Sequence, residues 1–205
     1  MALRKPLSPA DAAAPTAPLD AATARLWLDD PDPDRRCEAA HHLAGQPGHC
    51  DALGRRLQIE PLERVQQALF TALTRLATPA SAGVLLPLLR SESAPLRNGA
   101  IEALASMPAA TGAHVGPLLH DADPDVRIFT VNLLGDLRHP QVTPWLLDVL
   151  QQDTAVNVVA AAVEVMAEIG QPEHVEALRA AAARFATDPF MAFAIGMAIE
   201  RIEAA

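Results

Sequence analysis

Residues 115–137 are the segment most informative about the fold, and they read Val115-Gly-Pro-Leu-Leu-His-Asp-Ala-Asp-Pro-Asp-Val-Arg127-Ile-Phe-Thr-Val-Asn-Leu-Leu-Gly135-Asp-Leu137. An apolar segment is followed by an Asp-rich turn and then by a second apolar segment. In the second segment the side chains at i, i+4, i+5, i+8 and i+11 from Val126 share one helix face. Asp123 and Pro124 are typical of a helix start, with an N-cap acid before a proline. The stretch therefore predicts two short helices joined by a tight turn.

The same pattern recurs along the chain at a nearly fixed interval. Similar turns begin at Asp30 and Ser91, and another Asp-Pro pair opens a segment at Asp188. The last core position of each block falls 30 to 33 residues after the previous one, at Gln46, Leu76, Met107, Leu137, Ile169 and Ile202. Two short helices in each repeat predict an all-α fold, an α-solenoid of about six helix pairs.

Composition agrees with a helical fold. Among 205 residues there are 42 Ala and 27 Leu, but five Phe, two Trp and no Tyr. Ala and Leu are strong helix formers, whereas the scarce aromatic residues favour strands, so all-β and most α/β folds are disfavoured. Residues 1–18 are rich in Ala and Pro, and we expect a disordered tail there. Residues 19–205 are expected to form a single repeat domain.

The charge of the chain is negative and unevenly distributed. The net charge is −9, and residues 100–178 carry 11 acidic side chains against two basic ones, Arg127 and Arg138. This excess disfavours nucleic acid as a partner and favours a protein with a basic or mixed surface. No apolar run is long enough to cross a bilayer, and no signal peptide is predicted. With only two cysteines, Cys37 and Cys50, a cytoplasmic protein is expected.

The repeat resembles a known family. The pattern Leu-x-x-Leu-Leu-x-Asp-x-Asp-Pro-x-Val-Arg, best matched at residues 115–137, is similar to the short HEAT-like repeat of bacterial phycobilisome-lyase-like proteins. We expect a non-enzymatic scaffold or adaptor without a cofactor. The resemblance itself implies the fold, a right-handed superhelix, and does not specify a function. It also leaves open an accessory subunit of a bilin lyase, which would show a visible tetrapyrrole absorption band. A HEAT protein that accompanies a bacterial signalling system is a further alternative.

One repeat position carries arginine in three units. We expect a structural ladder in which these guanidinium groups bond turn carboxylates and carbonyls between neighbouring repeats. The second unit departs from the pattern, with Glu60 in its turn and Gln66 at the arginine position, and the fifth unit has Val159 there. The predicted ladder consists of Arg36, Arg97, Arg127, Asp32 and Asp123.

Two groups of residues are candidates for partner binding. The resemblance implies that the apolar helices between the Asp-rich blocks line the concave groove. A band of four side chains on these helices would then lie in the groove. Within this band, Trp145 is either a binding hot spot or an ordinary core residue. The last helix carries a second apolar stripe beside its core face, where a partner or a second copy would dock unless the helix rotates to cover it. The band is His114, Trp145, Asp148 and His174, and the stripe is Phe190, Phe193, Met197 and Ala194.

Candidate chemistry is sparse. Two Cys and three His residues lie within residues 37–50, but no C-x-x-C or H-x-x-x-H pair is present, and partly exposed surface is expected instead of a metal site. A metal-binding protein that uses Cys37, His41, His49 and Cys50 remains an alternative, testable by elemental analysis. The related deoxyhypusine hydroxylases hold iron with His-Glu dipeptides, which this sequence lacks. No catalytic motif is found, and we expect no enzyme.

Overall fold

A computed structural model describes residues 19–204, which form twelve α-helices without a β-strand. Two 3-10 turns, Leu86–Arg90 and Pro172–His174, are also present. The predicted disordered tail, residues 1–18, lies outside the described residues. The helices are α1 Ala21–Trp27, α2 Pro33–Leu43, α3 Cys50–Ile59, α4 Glu63–Leu76, α5 Pro79–Leu85, α6 Ala94–Ala105, α7 Pro108–Leu119, α8 Pro124–Asp136, α9 Val142–Gln152, α10 Val156–Ile169, α11 Val175–Arg184 and α12 Pro189–Glu203.

The helices pack in two layers. The even-numbered helices α2 to α12 follow the Asp-rich turns, and each contacts the next even-numbered helix, so together they form a first layer. The odd-numbered helices α1 to α11 form a second layer against it. Six helix pairs therefore stack in sequence order, and the predicted all-α solenoid is confirmed.

Three of the six first-layer helices, α2, α8 and α12, have the predicted caps. The carboxylate of Asp32 accepts the Asp34 N–H at 2.9 Å, and that of Asp123 accepts the Asp125 N–H at 2.9 Å. Asp188 accepts the Phe190 N–H at 2.9 Å. A proline follows each of the three caps, where its missing N–H costs no hydrogen bond. These turns fix where the first-layer helices begin.

The interior is built mainly from Leu, Val and Ala, and it falls into two clusters. The first cluster extends from Ala24 to Ala110 and also contains Leu133, and the second extends from Val115 to Ile202. On α12, the predicted core residues Met191 and Ile195 are at most 1% exposed. Among residues 19–204, no helix has the length and hydropathy that a bilayer span requires.

Candidate partner-binding surface

The Asp-rich turns share one hydrogen-bond pattern. In four successive units, a side chain on the first-layer helix donates to the backbone carbonyl six residues earlier, which ties the helix to its own turn. The four bonds are Arg36 Nη1 to Asp30 O (2.9 Å), Gln66 Nε2 to Glu60 O (2.6 Å), Arg97 Nη1 to Ser91 O (2.8 Å) and Arg127 Nη1 to Asp121 O (2.8 Å).

Two of the arginines also reach the turn of the next repeat. Arg36 donates two hydrogen bonds to the Glu60 carboxylate, at 2.8 and 3.0 Å. Arg127 donates two to Asp153, at 2.7 and 3.1 Å. Arg97 has no such carboxylate and instead lies over the Phe129 ring, 4.4 Å from its centroid. These contacts join neighbouring repeats and leave Arg36 and Arg127 little capacity to bind an anion. The Nε of Arg97 is buried and has no hydrogen-bond partner among the described residues.

Glu60 is the functional equivalent of an aspartate that the sequence pattern lacks in the second unit. Its side chain is fully buried and also accepts hydrogen bonds from Arg56 and from the Leu62 N–H. Burial raises the pKa of Glu60, but the hydrogen bonds from Arg36, Leu62 and Arg56 outweigh it, so the pKa lies below its ordinary value. The carboxylate therefore stays ionised in the folded protein. Asp32 and Asp123, predicted within the ladder, cap helices in the same turns.

In the fifth unit, an arginine from another helix fills the place that Val159 leaves empty. Arg184 of α11 donates to the backbone carbonyls of Asp153 and Leu150. The Asp153 carbonyl, which an arginine at position 159 would bond, thus receives its hydrogen bond from the second layer. Sequence alignment of the repeats misses Arg184 because it lies on a different helix from the other arginines.

The predicted band lies in the second layer. Trp145 is half-buried and stacks on the His139 ring, with centroids 5.0 Å apart. His174 caps a turn, since its Nδ1 accepts the Gln171 N–H at 2.9 Å. Asp148 lies 3.6 Å from Nε2 of His120. His114 is half-buried, and its Nε2 has no hydrogen-bond partner among the described residues.

The side of the solenoid on which this band lies depends on the curvature of the two layers. Successive first-layer helices contact each other more extensively than successive second-layer helices do. In a curved two-layer array, the more closely spaced layer lies on the inner side. The band belongs to the other layer, which argues against the predicted groove location, and partner binding by these four residues stays a prediction.

The predicted stripe on α12 is exposed. Phe190 is 63%, Phe193 68% and Met197 51% exposed, while Ala194 is half-buried. In repeat register, Phe190 and Met197 occupy positions that carry mostly polar or charged side chains in the other units. The positions equivalent to Phe190 hold Asp34, Arg64, Pro95, Asp125 and Asn157, and those equivalent to Met197 hold His41, Thr71, Glu102, Asn132 and Glu164.

This register places the stripe on the exposed face of the first layer. The positions equivalent to Phe190 are exposed in every unit, so a following repeat would not cover that ring. The position of Phe193 differs, since Ile128 and Ala160 there are half-buried in interior units. The stripe is thus an apolar end of a surface that is otherwise polar.

The Cys and His residues near α2 and α3 do not converge. Cys37 lies 3.9 Å from the Arg64 carbonyl, and Cys50 lies 3.9 Å from the Thr78 hydroxyl. Within residues 19–204, no group of three or more His, Cys, Asp or Glu side chains is placed to hold a metal ion. The geometry therefore gives the metal-binding alternative no support.

Comparisons with known proteins agree with the fold. The family model for HEAT repeats matches residues 20–105 and 113–197. A microtubule polymerase with an array of tumor overexpressed gene domains, described as recruiting tubulin, shares 14% identity at a TM-score of 0.54. That match covers 88% of this chain and 46% of the polymerase. No curated protein matches the chain.

Two further solved structures are less similar. Human deoxyhypusine hydroxylase shares 19% identity at a TM-score of 0.47, over 90% of this chain and 85% of that one. A phycocyanin lyase subunit from a Nostoc species shares 16% identity at a TM-score of 0.40, over 96% and 100% of the two chains. With the helix pairs and turns described above, the family match shows that this chain belongs to the HEAT repeat family.

Proposed function

We propose that the protein is a non-enzymatic scaffold or adaptor that binds a protein partner. HEAT repeats form rigid arrays that present an extended surface, which suits protein interaction. The observation that carries the proposal is the exposure of Phe190, Phe193 and Met197, because the positions of Phe190 and Met197 carry mostly polar side chains in the other units. Exposed apolar patches of this kind are typical of interaction sites.

The acidic second half is proposed to contribute to the same interaction. Its 11 acidic and two basic side chains favour a partner with a basic or mixed surface. The band around Trp145 and Asp148 is proposed as a separate contact on the outer side. Trp145 is half-buried there, and tryptophan is enriched in binding hot spots.

Affinity capture from a native lysate, read by mass spectrometry, tests the proposal. Phe193→Asp is compared with Ala192→Asp, which places the same charge at an exposed site elsewhere on α12. We expect the wild type and Ala192→Asp to retain a common protein that Phe193→Asp loses, with equal helical circular dichroism for all three. Capture of no protein by the wild type, or equal capture by all three, would contradict the proposal.

A further inference from the structure

The first-layer helices expose one continuous row of side chains each. The positions of this row recur at i, i+3, i+7 and i+11, which is the spacing of a single helix face, and their side chains are exposed or half-buried. The rows of neighbouring helices adjoin, since Asp34 and Arg64 form an ion pair between α2 and α4. Gln67 of α4 and Glu102 of α6 line one cleft between their helices. We call this continuous surface the inner face.

The character of the inner face changes along the solenoid. On α12 the row contains the three exposed apolar side chains and ends with Arg201. On α6, α8 and α10 the charged residues of the row are all acidic and exposed, and none forms an ion pair within residues 19–204. These carboxylates are Glu102, Asp125, Asp136, Glu164 and Glu168.

The apolar end is too small to hold a partner by itself. Three side chains that are each half to two-thirds exposed offer on the order of 300–400 Å². Stable interfaces bury about 800 Å² on each partner. A partner seated on α12 must therefore also cover neighbouring surface, and the inner face of α10 and α8 is the adjoining part.

A second copy of this chain fits the inner face poorly. A two-fold contact through the stripe would bring the same surface of both copies together. The carboxylates Glu164 and Glu168 on α10 would then approach their own equivalents, with Arg201 as the one basic side chain in the adjoining α12 row. Like charges facing each other across an interface oppose association.

We propose that the inner face binds a cationic amphipathic segment of a partner protein, with apolar side chains on α12 and Lys or Arg residues over α10, α8 and α6. This inference rests on the proposed function and specifies the chemistry of the partner. Neighbouring helices are about 10 Å apart, and an extended chain rises about 3.3 Å per residue. A basic residue at about every third position thus meets one carboxylate-bearing helix after another.

A labelled synthetic peptide provides the direct test. It is about 15 residues long, with Phe and Leu at one end and Arg at every third position of the remainder. The reversed sequence is the second probe, and a peptide with Glu in place of Arg is the control. We expect one of the two Arg peptides to bind in fluorescence anisotropy, more weakly as salt rises, and the Glu peptide not to bind.

Variants of the protein separate specific docking from attraction to the net charge. The double change Glu164→Gln with Glu168→Gln removes two inner-face charges. Glu173→Gln with Glu176→Gln removes two from the second layer and serves as the matched control. We expect about a fivefold weaker affinity for the first pair and a change of less than about twofold for the second. Phe193→Asp is expected to abolish binding and Ala192→Asp to preserve it.

Several results would overturn this inference. Equal weakening by both glutamine pairs would mean that the peptide responds to net charge alone. Binding of neither Arg peptide, together with Phe193-dependent self-association in sedimentation, would assign the face to a second copy. If neither Arg peptide binds but lysate capture still depends on Phe193, the cationic segment is wrong while the proposed function stands. If both experiments fail, both proposals fall.

Discussion

Glu60 shows how one buried carboxylate holds two repeats together. It receives Arg36 from the preceding unit and Arg56 from its own, and its side chain is inaccessible to solvent. Removing one partner of a buried ion pair leaves the other charge uncompensated and strongly destabilises the fold. Replacing both partners by apolar side chains of similar volume changes the stability much less. The residue therefore matters more for stability than any exposed ion pair of this chain.

We predict that Glu60→Gln lowers the free energy of unfolding by about 3 kcal/mol, because Arg36 keeps its charge without a counterion. Urea denaturation followed by circular dichroism measures the change. Asp34→Asn breaks the exposed pair with Arg64 and is expected to cost less than about 1 kcal/mol. Equal losses for the two variants would show that burial of Glu60 does not set its contribution.

The same residue predicts an acid dependence. The folded-state pKa of Glu60 is lowered from 4.5. Burial raises the pKa of Asp153, but the hydrogen bonds that it accepts, chiefly from Arg127, outweigh burial, so that pKa is lowered from 3.8. Groups of this kind stabilise the fold above their unfolded pKa, and the contribution disappears as the pH falls through the folded pKa. We expect stability to decline below about pH 5, less steeply for Glu60→Gln. Parallel pH profiles of the two proteins would contradict this.

At the scale of the helix, close packing between first-layer neighbours depends on a glycine. A Cβ added at Gly99 on α6 would lie 2.5 Å from the Phe70 ring of α4. Phe70 is nearly fully buried and lines the cleft between the two helices together with Gly99, so its ring would have to shift to admit a Cβ. Glycine normally weakens a helix interior, and its presence here permits α4 and α6 to approach.

We predict that Gly99→Ala destabilises the protein by about 1–3 kcal/mol, because the overlap with Phe70 exceeds the gain in helix propensity. Gly83→Ala in α5 is the matched control, since nothing lies within 4 Å of its added Cβ. That change is expected to be neutral or to stabilise by up to about 1 kcal/mol. Thermal unfolding gives both values, and a stabilising Gly99→Ala would refute the steric argument.

On the scale of the whole molecule, Leu133 links the two core clusters. It is fully buried and belongs to the first cluster, whereas Val131 and Leu134 on the same helix belong to the second. In a repeat array, stability depends on contacts between neighbouring units. The seam between the clusters thus includes Leu133 together with Leu118 and Phe129, which are half-buried and pack against the first cluster.

We predict that Leu133→Ala costs about 2–5 kcal/mol and separates the unfolding of the two halves. Leu146→Ala, within the second cluster, should cost a similar amount without separating them. Native-state hydrogen exchange measures the protection of each half. A single cooperative loss in both variants would show that the seam is no weaker than the other repeat contacts.

The helix pairs, their number and three of the helix caps were predictable from the sequence alone. Repeat spacing and Asp-Pro starts depend on local backbone preferences and helical periodicity, which act over a few residues. The arginine positions of the ladder were also predictable, because they recur in register. Two outcomes were expected for Phe193, exposure or burial by rotation of the last helix, since periodicity alone does not say which way a terminal helix faces.

Which side chains meet across repeats depends on the tertiary structure. Glu60 replaces an aspartate and Arg184 replaces an absent arginine, and both depend on contacts between residues 24 to 34 positions apart. The periodicity of one repeat also does not say on which side of the solenoid Trp145 lies, because curvature follows from how closely the two layers pack. Such packing is a property of the whole array, to which no single repeat gives access.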